Sequence, residues 1–150
     1  MPETVTFGET YARFRVGGTP VYDGPGDFGE VEDHTVWLDN RPVAVANGPY
    51  EIFVGEDLEL SAAGSYDPDV DWGDYISDVR WDLGSDGSFE FSGWSVTIPW
   101  ADLENLLTLG APLPITLEVV DQMWRAADTD TTTVTLFEKR PRAVLAALPL

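Results

Sequence analysis

The sequence predicts an all-β fold, a sandwich of about seven short strands preceded by a β-hairpin. Three observations carry this. Short runs place apolar residues at every second position, as Leu58, Leu60 and Ala62 alternate with Glu59, Ser61 and Ala63. Clusters of Gly, Pro, Asn and Asp punctuate those runs at short intervals. Only residues 101–109, ADLENLLTL, space their leucines helically.

Taken in order, Tyr11, Arg13 and Arg15 alternate with Ala12, Phe14 and Val16, which reads as a strand. A loop rich in Gly, Pro and Asp follows, and residues 31–38 read as the returning strand. Opposite charges pair across such strands, so Arg13 and Arg15 are expected to meet Glu30, Glu32 or Asp33. A lone hairpin buries too little surface to stand by itself in water, so Phe14, Val36 or Trp37 should lack a full core. Asp39-Asn40-Arg41-Pro42 interrupts the pattern and marks a boundary. Beyond it, strands are expected at residues 42–46, 52–54, 58–62, 76–83, 88–91, 94–100, 115–119 and 126–137, with a helix at 101–109 capped by Asp102. Trp81, central in its run, should fill the space between the sheets.

Two resemblances sharpen this reading. YARFRV, a Gly/Pro/Asp loop and then Gly29-Glu30-Val31-Glu32-Asp33 resemble the end of a GEVED domain, a bacterial cell-surface module, although His34 stands where Tyr is usual. RPVAVA, VGEDLELSAAGSYDPD, ISDVRWDLGSDG and ITLEVVD resemble the successive signatures of a PKD domain. The resemblance implies an immunoglobulin-like β-sandwich serving as an accessory module of secreted enzymes and surface proteins. The expected organisation is a partial GEVED-like hairpin at 1–39, a PKD-like sandwich at 41–137 and a tail or linker at 138–150. Trp94, Trp100 and the leucine-rich 101–109 depart from the PKD pattern and mark an unusual edge.

Composition sets outer limits. Hydrophobic residues make up 43% of the 150, which suits a packed core rather than a disordered chain. The net charge is −19, and residues 1–138 hold five basic against 27 acidic residues. Such a surface disfavours nucleic acid and anionic membrane and favours cations. With no cysteine, neither disulfides nor a thiolate zinc site can form, so an exported domain of this kind relies on its core, on ions, or on both. No signal peptide is evident, and no apolar run is long enough for membrane insertion as a helix. The expected location is extracellular or at the cell surface, as a fragment of a longer chain.

The candidate sites follow from the acids and the tryptophans. Asp67, Asp69, Asp71 and Asp74 lie in one loop and can gather oxygen ligands for Ca²⁺, which takes six to eight. The same residues are ordinary turn formers, whose carboxylates accept from nearby backbone N–H groups. Asp82 and Asp86 form a weaker second candidate, because Gly84 stands where a calcium loop would carry another carboxylate. Trp72, Trp94, Trp100 and Trp124 are candidate ligand contacts for a polysaccharide or protein, or covers for the sandwich ends. No catalytic constellation is found: His34 is the single histidine, and a pair such as Asp67 with Asp86 carries little weight among so many acidic turns. The expected role is a non-catalytic spacer or adhesion and interaction module with neighbouring domains as partners. The alternative is a carbohydrate-binding module, which requires at least two of the four tryptophans on one face.

Overall fold

The structure, a computed structural model, describes residues 8–17 and 29–138. Residues 139–150 of the tail expected at 138–150, the hairpin loop and the side chains of Arg15 and Glu30 lie outside the described residues.

Strands β1 (Gly8–Gly17) and β2 (Gly29–Leu38) pair antiparallel as a two-stranded sheet. Arg13 faces Asp33 in the register, and its guanidinium donates to both carboxylate oxygens at 2.6 and 2.8 Å. Phe14 and Trp37 remain more than half exposed, as a hairpin without a second layer requires. His34 sits at an exposed position, its Nε2 2.9 Å from Glu32 Oε2 and its ring edge-on to Phe14.

The remaining strands are β3 (Tyr50–Phe53), β4 (Leu58–Ser61), β5 (Ile76–Leu83), β6 (Phe91–Ser92), β7 (Ser95–Ile98), β8 (Pro112–Asp121) and β9 (Ala127–Phe137). Five of them form a mixed sheet in the order β3-β9-β8-β5-β6, with β3 parallel to β9, and β4 pairs with β7 in a second sheet. The two sheets share one core. Leu58, Leu60 and Ile98 from the small sheet pack in a cluster with Val79, Trp81, Ile115, Leu117, Val119, Val134 and Leu136 from the large one. Burying side chains of this size contributes about 1.5–3 kcal/mol each. Trp81 is fully buried, and its indole N–H donates to the Gly93 carbonyl at 3.0 Å, so its polar atom is satisfied inside the core. Pro112 and Pro114 are tolerated in β8 because this end pairs with β9 alone, and pairing with β5 begins at Ile115.

Three sequence expectations need correction. Residues 42–46 are extended but form no strand beyond a single bridge from Val43 to Tyr66. Side chains replace the ladder: Asp128 Oδ2 accepts from Ala44 N, Asp130 Oδ2 from Ala46 N and Ser65 Oγ from Val45 N, at 2.8–2.9 Å. The period of two along β9 sets Asp128 and Asp130 opposite alternate amides. The expected helix at 101–109 shortens to α1 (Trp100–Leu103), and Asp102 lies inside it rather than capping it. Its first amide is held by Asp57 Oδ1 at 2.8 Å, and Gly110 bonds to Leu136 on β9, which draws the later residues away from a helical path. The strand expected at 88–91 is only Phe91–Ser92, because Asp82, Asp86 and Glu90 engage the preceding turn.

Candidate metal centre

The acidic loop after β4 closes with a single 3₁₀ turn at Val70–Trp72, and Gly73 reverses the chain in a left-handed conformation. This fold turns some of its carboxylates inward. Asp67 and Asp69 are 5% and 2% exposed, and Asp74 is fully buried, whereas Asp71 lies on the exposed side of the turn. Two residues far away in sequence join them. Asp121, the last residue of β8, is fully buried because register pairs it with Ile76 at the start of β5. Asp39, the first residue after β2, completes the group.

Asp67, Asp74 and Asp121 each have a structural task for one oxygen. Asp67 Oδ1 accepts from Asp69 N at 2.8 Å, and Asp74 Oδ1 from Tyr75 N at 2.8 Å and Met123 N at 3.2 Å. Asp121 Oδ1 accepts from Trp124 N at 3.0 Å. Asp69 uses both oxygens, accepting from Asn40 N and Asn40 Nδ2 at 2.7 and 2.9 Å. The second oxygens are different. Asp39 Oδ1, Asp67 Oδ2, Asp74 Oδ2 and Asp121 Oδ2 are buried and meet no donor. None of the five residues forms an ion pair with a described arginine.

Such an arrangement is unfavourable without a counter-charge, since an unpaired buried ion costs several kcal/mol. The conflict shows in Asp39, whose carboxyl is pushed up from 3.8 to about 6 by burial and then by the charges of Asp121, Asp74 and Asp69. Burial likewise raises Asp67, with the hydrogen bond from Asp69 opposing it and the neighbouring carboxylates adding to it. Two chemical species relieve the conflict: protons or a cation. One oxygen from each of Asp39, Asp74 and Asp121 lies within 4.8 Å of the others. Oxygens this close can share one hard divalent cation such as Ca²⁺, which binds carboxylate oxygens at about 2.3–2.6 Å in flexible geometry.

The second acidic group, Asp82, Asp86 and Glu90, also lies within that spacing. Its oxygens have local work: Asp82 accepts from Asp86 N and Gly87 N, Asp86 from Ser88 N, and Glu90 from Leu83 N, at 2.7–3.1 Å. This is the hydrogen bonding of a tight turn.

The four candidate tryptophans separate. Trp72, Trp94 and Trp124 are exposed, whereas Trp100 is half-buried against the core. Trp94 lines a cavity of about 280 Å³ with Tyr66, Tyr75, Val70 and Asp67. Tyr66 and Tyr75 were not legible as ligand contacts, because their shared wall depends on where the acidic loop folds. Asp39 and Asp121 escaped the sequence reading for a similar reason. One sat in an interrupted boundary and the other at the end of an apolar strand.

No helix among the described residues is long and apolar enough to cross a membrane. No protein-family model matches the chain, and no curated protein matches it.

Proposed function

We propose that the chain is a non-catalytic accessory module of a secreted or surface-anchored bacterial protein, an immunoglobulin-like, PKD-type sandwich following a GEVED-like hairpin. It serves as a spacer and protein-interaction module held rigid by Ca²⁺. One observation carries the reading: Asp39, Asp74 and Asp121 come together where the chain leaving β2, the acidic loop and β8 meet, and each has a buried carboxylate oxygen without a donor. An all-β module without disulfides gains stability from an ion at such a point.

The test is thermal unfolding of the full chain in Ca²⁺ and in excess chelator. A ligand that binds only the folded state at about 100 times its Kd adds about 2.7 kcal/mol, which raises the midpoint of a chain this size by about 10 °C. Asp74→Asn and Asp121→Asn should each lose most of that rise. An equal midpoint in Ca²⁺ and chelator would remove the calcium reading.

The aromatic cavity favours a second reading, a carbohydrate-binding module. Trp94, Tyr66 and Tyr75 offer apolar ring faces to the C–H groups of a sugar. Retardation in a polysaccharide gel that Trp94→Ala abolishes would support it, and unchanged mobility across a glycan panel would end it.

A further inference from the structure

The placement of Asp39 gives the acidic centre a role beyond stabilising the sandwich. Asp39 follows Leu38, the last residue of β2, so it belongs to the chain leaving the hairpin. Its partners, Asp74 and Asp121, belong to the sandwich, two residues before β5 and at the end of β8. The next residue is fixed from the sandwich side, because Asn40 donates its backbone and side-chain N–H groups to Asp69. Three residues further on, Val43 bridges to Tyr66. The connection is thus pinned at Asn40 by hydrogen bonds to the Asp69 carboxylate and at Val43 by backbone hydrogen bonds to Tyr66. At Asp39 it meets like charge, because one of its carboxylate oxygens lies within 4.8 Å of oxygens of Asp74 and Asp121.

We propose that a divalent cation, Ca²⁺ in the reading above, acts as a junction clamp, joining Asp39 to Asp74 and Asp121 and so fixing the direction in which the β1–β2 hairpin leaves the sandwich. This rests on the calcium reading above and adds a consequence to it. With the ion bound, three oxygens from both sides of the junction share one positive centre, and Asp39 becomes the third tether of the connection. Without it, an ionised Asp39 is pushed off the sandwich and the hairpin pivots about Asn40. A Ca²⁺ concentration is then read as stiffness of the junction, which sets the reach of whatever the hairpin carries. Divalent charge matters because a monovalent ion leaves two of three facing carboxylates uncompensated.

The chain has no cysteine, so labels can be placed cleanly. Thr35→Cys on β2 and Glu59→Cys on β4, both exposed, carry spin labels in the full chain. The distance distribution between them is measured in Ca²⁺ and in chelator, beside thermal unfolding of the same sample. A narrow distribution in Ca²⁺ that broadens in chelator, together with a Ca²⁺-dependent midpoint, supports the clamp. Asp39→Ala should then give a broad distribution under both conditions while Asp74 and Asp121 still confer a reduced thermal rise. A midpoint that responds to Ca²⁺ with an unchanged distribution overturns the clamp and leaves the calcium reading intact. No response in either measurement overturns both, and a narrow distribution in Asp39→Ala with Ca²⁺ overturns the clamp alone.

Discussion

Asp39 makes the cation-free protein lose stability as pH rises, against the trend of an ordinary native carboxylate. Its carboxyl is displaced upward, from 3.8 to about 6, chiefly by burial and then by Asp121, Asp74 and Asp69. A group whose folded pKa exceeds its unfolded value binds its proton more tightly when folded. Its contribution is therefore complete below about pH 4 and is lost as pH climbs through about 6. At full effect the displacement corresponds to about 3 kcal/mol. Asp39 is only partly buried, and solvent screening reduces this to about 1–2 kcal/mol. The assay is urea unfolding followed by tryptophan fluorescence, in chelator, from pH 4 to 7. Because 27 acids titrate in the same range, the informative quantity is the difference between wild type and Asp39→Asn. The two should agree near pH 4, and the variant should be the more stable by about 1–2 kcal/mol at pH 7. Saturating Ca²⁺ should invert the wild-type slope, since the ion binds only the deprotonated ligands. A wild-type-minus-variant difference that stays constant from pH 4 to 7 in chelator would refute the reasoning.

Other perturbations probe the frame around this centre. Trp81→Ala removes the largest fully buried side chain among the described residues and the hydrogen bond to Gly93, so unfolding measurements should show a loss of about 3–5 kcal/mol. Asp130→Ala strands the buried amide of Ala46, which should cost about 1–3 kcal/mol in urea unfolding and speed hydrogen exchange at residues 44–46. Glu90→Gln leaves a carbonyl able to accept from Leu83 N, so calcium titration by calorimetry should return the wild-type affinity; a weakened affinity would move the ion to the second acidic turn. Gly48→Ala should lower the melting temperature, because the residue has φ +83° and a Cβ there runs into Thr132 Oγ1.

What was legible in the sequence was whatever a local period could encode. Ile76–Leu83 reads as a strand because Val79 and Trp81 alternate with polar residues, and both are buried. The hairpin's poor core and the Arg13–Asp33 pair followed from two-strand geometry. The leucines of 101–109 misled because helical spacing says nothing of Asp57, just before β4, and Leu136 on β9, which hold that segment from distant parts of the chain. The acidic centre divides along the same line. Asp67, Asp69 and Asp74 advertise themselves by crowding in one loop, which is also how ordinary turns look. What distinguishes a cation site from a turn is the fate of the second oxygen on each carboxylate. In the turn at Asp82 both oxygens find backbone amides four and five residues ahead. At Asp74 and Asp121 one oxygen accepts backbone amides and the other is buried without a donor. That difference arises only when β5–β8 pairing carries Asp121 to the loop and the exit of β2 delivers Asp39. The two residues least visible in the sequence are therefore the ones that turn an acidic loop into a point where charge must be compensated.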